Sequence, residues 1–197
     1  LIAPALGGTI GFARSGYNGD FWKLPRDDKL DHVATNSRGW WTVSISQLVG
    51  LFLLTGGLGG LTRLISDAGE PVLGSVGYGG YLVALMIWVL GLVVQTATVP
   101  SAARQRVATG ETPAWVHGFF DVGYLAEAAW VIGANLSYVV IGMAIIGSGL
   151  VAAWTGWVAL VFGLAIPATA LVTRYWFPEM SLIVPFVIGI SLAVHGS

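Results

Sequence analysis

The sequence predicts an all-α integral membrane protein, a six-span bundle of transmembrane helices, on the strength of three observations. First, 55% of the 197 residues are hydrophobic and only 10% are charged, whereas soluble domains carry about 25% charged residues. Second, the chain contains several apolar runs long enough to cross a bilayer. Third, these runs are continuous rather than alternating, which favours helices over barrel strands. The composition argues against a soluble globular enzyme and excludes a disordered chain, because disordered chains are polar.

The individual spans follow from the length of each apolar run. A spanning helix needs about 20 mostly apolar residues. The runs that match or approach this length are 40–64, 77–99, 115–146, 150–172 and 180–194. The segment Leu1–Ala13 is shorter, and we expect it to be the second half of a first span whose beginning is missing. Together the spans predict one transmembrane domain over residues 1–197.

Aromatic and small residues support these spans. Trp40 and Trp115 stand at the start of their runs, where an indole ring anchors a helix at the membrane–water boundary. The glycines of 56–60 lie inside the first complete run and predict either a flat face for helix packing or a break in the helix. We prefer the packing interpretation, since small side chains let helices approach closely in lipid.

The segments between the spans predict the orientation. The longest is a polar loop at 14–39, in which we expect a short surface-lying helix around Lys29–Ala34. The loops 14–39, 100–113 and 173–179 share one side of the membrane and hold every Lys and Arg except Arg63. Because basic loops stay in the cytoplasm, these three loops are predicted to be cytoplasmic in a multi-pass protein of the cell membrane.

The span 115–146 carries the polar side chains that are candidates for a binding site. They are His117, Asp121, Tyr124, Glu127 and Asn135. At about 100° per residue, four of them form one stripe along the helix, while Glu127 points about 120° away from Asp121. Ionisable groups are costly inside lipid and commonly mark functional sites.

Three interpretations of this stripe stay open. In the first, His117 and Asp121 lie at the membrane interface, and Glu127 and Asn135 hydrogen-bond neighbouring helices as structural contacts. In the second, the group forms a path or a binding site for a proton or a small molecule. In the third, His117 and Asp121 begin a metal site that a ligand from another helix completes. The three histidines of the chain are scattered, so we predict no metal site.

Several other activities find no support in the sequence. A net charge of −1 gives no electrostatic footprint for nucleic acid. The absence of cysteine excludes disulfides, thiolate metal sites and a Cys nucleophile. No predicted span contains lysine, so a retinal Schiff base has no attachment point. The segment Ser75–Gly79 is similar to the filter of potassium channels, but the stretch before it is too short and too rich in Pro and Gly for a pore helix. Nothing in the sequence identifies a cofactor.

A pattern of small residues runs through the C-terminal half. Gly147–Leu150 forms a tight turn, Trp154–Trp157 opens a span, and Pro185–Phe186 lies in the last helix. With these features, residues 114–197 resemble a large, uncharacterised bacterial family of six-span membrane proteins, known as a domain of unknown function. The resemblance implies six spans and a bacterial membrane, and it carries over no catalytic residue.

These observations predict a non-catalytic accessory or structural subunit of a larger membrane protein complex. Its small size, glycine-rich packing faces and abundant interfacial aromatic residues favour this role. The expected partners are membrane lipids and either other membrane subunits or further copies of the chain, with no nucleic acid. The alternative is a small-molecule or proton-coupled carrier, or a membrane enzyme, that uses the polar groups of 115–146.

Overall fold

The structure is a computed structural model that describes residues 16, 17, 21, 23–173 and 178–195. These residues form helices joined by short turns, without a β-strand among them. The elements are α1 (Arg26–Thr35), α2 (Ser37–Asp67), α3 (Pro71–Thr109), α4 (Ala114–Ser148), α5 (Ala153–Thr173), a 3₁₀ turn (Pro178–Leu182) and α6 (Ile183–His195). The all-helical prediction is confirmed for this part of the chain.

Four of the helices, α2 to α5, are long and apolar enough to cross a membrane. A shorter apolar helical segment, Met180–Val194, follows them. α6 has 13 residues, so it rises about 20 Å, less than the roughly 30 Å of a hydrocarbon core. The predicted first-span segment, Leu1–Ala13, lies outside the described residues.

Two of the predicted loops are wrong in extent. α3 continues past Pro100 to Thr109, although 100–113 is predicted to be a loop between two apolar runs. A proline inside a helix removes one backbone hydrogen bond, because it has no N–H. Val99, Ala102 and Ala103 around this proline are buried, so tertiary packing offsets the lost hydrogen bond. The loop predicted between the first two complete spans shrinks to 68–70, and the filter-like segment Ser75–Gly79 lies inside α3, which rules out a channel filter there.

The turns between the long helices are tight and rely on glycine. α3 ends at Gly110 and α4 ends at Gly149, both with a positive φ (77° and 63°). In that left-handed conformation the N–H of Gly110 bonds the carbonyl of Arg106, and the N–H of Gly149 bonds that of Ile145. The turn after Ser148 was predicted from its Gly-Ser-Gly sequence.

The bundle core lies between α2, α3, α4 and α5 and is built on close backbone approach. Its helices pack most extensively along α3 and α4 and then along α4 and α5. A methyl group at Gly142 would lie 2.7 Å from the carbonyl oxygen of Gly156, and one at Gly156 would lie 2.6 Å from that of Gly142. Gly77 similarly faces Ile141. Small residues therefore let these helices touch backbone to backbone.

A second apolar cluster lies at the end of the bundle where α1 sits. We call it the α1 cluster. It consists of Tyr17, Phe21, Leu30, Val33, Trp40, Val43, Val99, Ala102, Ala103 and Val116. The ring of Tyr17 packs edge-on against those of Phe21, His32 and Trp40. Its hydroxyl donates to the carbonyl of Asn36 at 2.8 Å, and burial raises the pKa of Tyr17 to about 12. The same cluster includes Val99 and Ala102 of α3 and Val116 of α4, so α1 packs across the ends of these two helices.

Candidate functional site

The polar side chains of α4 that are candidates for a binding site lie in different environments. His117 and Asp121 are exposed at the α1 end of the bundle, Glu127 is half-buried further along, and Asn135 is fully buried among the helices. The structure brings His117 and Asp121 together, and it places Asn135 several turns away from them along the helix. The candidate residues do not converge on one cavity.

His117 and Asp121 meet Arg26, the first residue of α1. One guanidinium nitrogen, Nη2, forms an ion pair with Asp121 Oδ1. The other, Nη1, lies 3.5 Å from His117 Nδ1 and 3.5 Å from the backbone oxygen of His117. The guanidinium also lies 5.9 Å from the centre of the Phe120 ring. Arg26 therefore ties the start of α1 to the first two turns of α4.

A second charged contact involves Arg106 near the end of α3. Its guanidinium donates to both carboxylate oxygens of Asp31, at 2.7 and 3.1 Å, a bidentate geometry that favours strong pairing. It also lies 3.5 Å from Asp27 and donates to Thr112 at 2.6 Å. The Thr112 hydroxyl in turn donates to Asp27 at 2.8 Å. The hydrogen bond from Arg106 lowers the pKa of Asp31.

Glu127 belongs to the same charged region through its field on Lys29. Burial lowers the pKa of Lys29, the negative charge of Glu127 opposes this shift, and the positive charge of Arg26 adds to it. A carboxylate near a half-buried ammonium stabilises the ammonium's charged form. The charge of Glu127 therefore acts on α1 through Lys29.

Tyr124 and its neighbour in the sequence, Gly123, face different surroundings. Tyr124 is 47% exposed on the outer surface of α4. Gly123 is buried, and the side chain of Gln95 occupies the space beside it, since a methyl group at Gly123 would overlap the Gln95 amide. The tyrosine is thus separated from the buried polar group of Asn135.

Asn135 holds the last part of the chain against α4. Its Nδ2 donates to the carbonyl of Val131 at 2.7 Å and to Ser181 Oγ in the 3₁₀ turn, also at 2.7 Å. A second buried pair joins Thr155 of α5 to Ser191 of α6, with 2.8 Å between their oxygens. Polar contacts of this kind between helices stabilise membrane bundles, and here they fix both ends of the short final helix.

Some buried polar atoms of α4 have no hydrogen-bond partner within the described residues. They are Trp130 Nε1, Asn135 Oδ1 and the hydroxyl of Tyr138. Trp130 stacks on Trp88 with 5.0 Å between ring centres and meets Tyr81 edge-on at 5.5 Å. These atoms lie inside the bundle core, where an unpaired polar group is costly.

An apolar groove lies between α5 and the last part of the chain. It has a volume of about 480 Å³. Its walls are Phe162, Ala165, Ile166, Thr169, Ala170 and Thr173 of α5, with Met180 of the 3₁₀ turn and Ile183 of α6. None of the predicted site residues lines it.

Several residues that organise this region were not singled out from the sequence. In the sequence, Arg26, Asp31 and Arg106 stand out only as charged residues of the predicted loops 14–39 and 100–113. Ser181 lies in an apolar run and gives no signal of its own. The available signal was the mixture of basic and acidic residues in 14–39, which indicates internal pairing as readily as a basic cytoplasmic face. Which partner each charge takes depends on the docking of α1 and could not be read from spacing.

The described residues contain no group of three His, Cys, Asp or Glu side chains placed to hold a metal ion. Comparisons of the chain with family models, with curated proteins and with solved structures found no match. The resemblance of residues 114–197 to a six-span bacterial family therefore stays a prediction.

Proposed function

We propose that this chain is a non-catalytic accessory or structural subunit of a membrane protein complex. The observation that carries the proposal is the different surroundings of its glycines. Gly142 and Gly156 are covered by the chain's own helices, whereas a methyl group added at Gly56 or Gly60 on α2 would meet no described atom within 4 Å. The spacing of four residues puts Gly56 and Gly60 on one exposed helix face. Such a face suits another transmembrane helix.

The contacts of the polar residues on α4 also support this role. His117 and Asp121 are paired with Arg26, and Asn135 is paired with Ser181. These side chains are used in contacts that stabilise the chain's own fold, and such contacts leave them less free to bind a moving substrate. Their positions favour a structural use of the polar side chains over a transport path.

The distribution of basic residues and the exposed glycine face suggest where the subunit lies and what it contacts. The chain would be a multi-pass protein of a bacterial cell membrane, with α1 and the basic end of α3 in the cytoplasm, as the distribution of Lys and Arg indicates. Its partners would be membrane lipids and a helix of another subunit, or of a second copy, on the face of Gly56 and Gly60.

Native mass spectrometry of the protein extracted gently from its own membrane tests the proposal. The native protein should carry another polypeptide or further copies, and replacing Gly56 and Gly60 together by Leu should remove them. Gly79→Leu is the matched control, because Gly79 is also an exposed helical glycine with open space around it. A lone chain of 20.7 kDa, or an assembly that survives the double substitution, would contradict the proposal.

A second candidate function is a small-molecule or proton-coupled carrier. The observation that favours it is the group of buried polar atoms on α4, Trp130 Nε1, Asn135 Oδ1 and the Tyr138 hydroxyl, that have no partner within the described residues. Glu127→Gln separates the two functions. Loss of transport in liposomes with the assembly intact would favour the carrier, whereas loss of the assembly alone would favour the subunit.

A further inference from the structure

α1 lies as a strap across the turn that joins the two longest helices. Its first residue, Arg26, is paired with Asp121 on α4. Further along the strap, Asp31 is paired with Arg106 on α3. Between these points, Asp27 accepts a hydrogen bond from Thr112 in the turn. Three consecutive elements are therefore held by one ten-residue helix.

The contacts that hold the strap are charged, and the carboxylate of each pair is open to solvent. The side chains of Arg26 and Asp121 are 42% and 61% exposed. In the second pair Asp31 is 54% exposed and Arg106 is 20% exposed. Pairs exposed to this degree are screened by salt. In contrast, α4 and α5 meet through backbone approach at Gly142 and Gly156. The hydrogen bonds that hold the 3₁₀ turn and α6 are buried, so salt does not reach these contacts.

The apolar part of the strap is small. Of its ten residues, Leu30 and Val33 are the buried ones. A helix of this length is marginal on its own. It also begins after Pro25 and ends at Asn36, both of which have non-helical backbone angles, so α1 is a helix separate from α2. These are the properties of an element that opens locally at low cost.

We propose that α1 is an electrostatic latch. In the closed state its ion pairs hold Leu30 and Val33 against Val99, Ala102 and Val116. Screening or removing the pairs lets the strap lift and uncovers this apolar surface at the ends of α3 and α4. The inference goes beyond the accessory role, because it concerns a change within this chain and needs no partner.

Thiol labelling in lipid nanodiscs tests the latch. The chain has no cysteine, so Val33→Cys introduces a single thiol on the buried face of the strap. A water-soluble maleimide reports the exposure of this thiol. Raising potassium chloride from about 0.1 M to about 1 M shortens the Debye length from about 10 Å to about 3 Å. The labelling rate of Val33→Cys should rise severalfold over this range. Thr35→Cys, at an exposed position of the same helix, should label quickly at both concentrations.

Charge variants assign the effect to the ion pairs. Adding Arg106→Gln to Val33→Cys should make labelling fast at all salt concentrations. The charge exchange combines Asp31→Arg with Arg106→Asp and should restore slow labelling at low salt. It also carries Asp27→Asn, because Asp27 lies 3.5 Å from the Arg106 guanidinium and would otherwise face a second carboxylate. Leu30→Cys provides a second buried reporter if Val33→Cys alters the fold. Labelling that is slow and independent of salt in both reporters would overturn the latch, and so would a charge exchange that leaves labelling as fast as Arg106→Gln alone.

Discussion

The bundle core and the α1 cluster use different forces in the same chain. In the bundle core, helices touch through glycine, as Gly142 and Gly156 do, and the cross-helix hydrogen bonds are buried, as between Asn135 and Ser181. In the α1 cluster, a few apolar side chains are framed by exposed ion pairs on Arg26 and Arg106. Close packing through glycine suits the region without water, because two apolar helix faces can meet there without the cost of removing water from charged groups. Ion pairs work at the boundary, where charges keep part of their hydration.

The largest effect is expected where backbones touch. Gly142→Leu places a side chain against the carbonyl of Gly156, which lies 2.7 Å from the first added carbon. Overpacking of this kind costs about 3 kcal/mol at the upper end of its range. Gly56→Leu adds the same side chain at a position where no described atom lies within 4 Å. The free energy of unfolding should therefore stay unchanged or rise slightly. Thermal unfolding in detergent compares the two, and equal losses would show that α4 and α5 are not packed as described.

A medium effect is expected at the buried hydrogen bond of the final helix. Ser181→Ala removes one of the two acceptors of Asn135 Nδ2 and leaves the Val131 carbonyl at 2.7 Å. The expected loss is about 1 kcal/mol, as for a typical intramolecular hydrogen bond. A double-mutant cycle of Ser181→Ala with Asn135→Leu measures the pairwise energy. A coupling energy of zero would mean that the two side chains do not interact.

A smaller and local effect is expected from acid. The hydrogen bond from Arg106 lowers the pKa of Asp31 below its ordinary 3.8, desolvation opposes this, and the charge of Arg106 adds to it. A carboxylate with a lowered pKa stabilises the folded state above its unfolded pKa and loses that contribution as the pH falls through its folded pKa. Maleimide reacts with the thiolate and labelling slows in acid, so the labelling rate of Val33→Cys is divided at each pH by that of the exposed Thr35→Cys. This ratio should stay constant down to about pH 4 and rise below it. In Asp31→Asn the exposure should already be raised at neutral pH, and an unaltered profile would refute the assignment.

The smallest effect is expected at Asp28, which is exposed on the same helix and acts on Arg106 only through its charge. Asp28→Asn should leave the exposure of Val33→Cys as it is in the parent protein, at low and at high salt. Because it removes the same charge as Asp31→Asn, it separates pairing geometry from net charge. An equal response to both substitutions would favour net charge.

Local features of the fold could be predicted from the sequence. The surface helix was expected around Lys29–Ala34 and occupies Arg26–Thr35, because its polar pattern is local. The turn at Gly149 followed from small residues in the sequence. Helix continuity through Pro100 could not be predicted, since it depends on the packing of Ala102 and Ala103 under α1.

The contacts of the candidate site could not be predicted for a related reason. Helical spacing placed His117, Asp121 and Asn135 on one face of α4, but a face does not specify its partners. Arg26 and Asp121 are 95 residues apart in sequence, and Asn135 and Ser181 are 46 apart. Such pairs are set by how the helices dock, and the sequence of one chain offers no spacing rule for that.

The most direct test of the contrast between the two regions is hydrogen–deuterium exchange of the native protein in nanodiscs at low and high potassium chloride. The amides of Arg26–Thr35 should exchange faster at high salt, while those of α4 around Trp130 and Asn135 should not change. Salt-independent exchange in α1, or an equal acceleration in α1 and α4, would contradict this contrast.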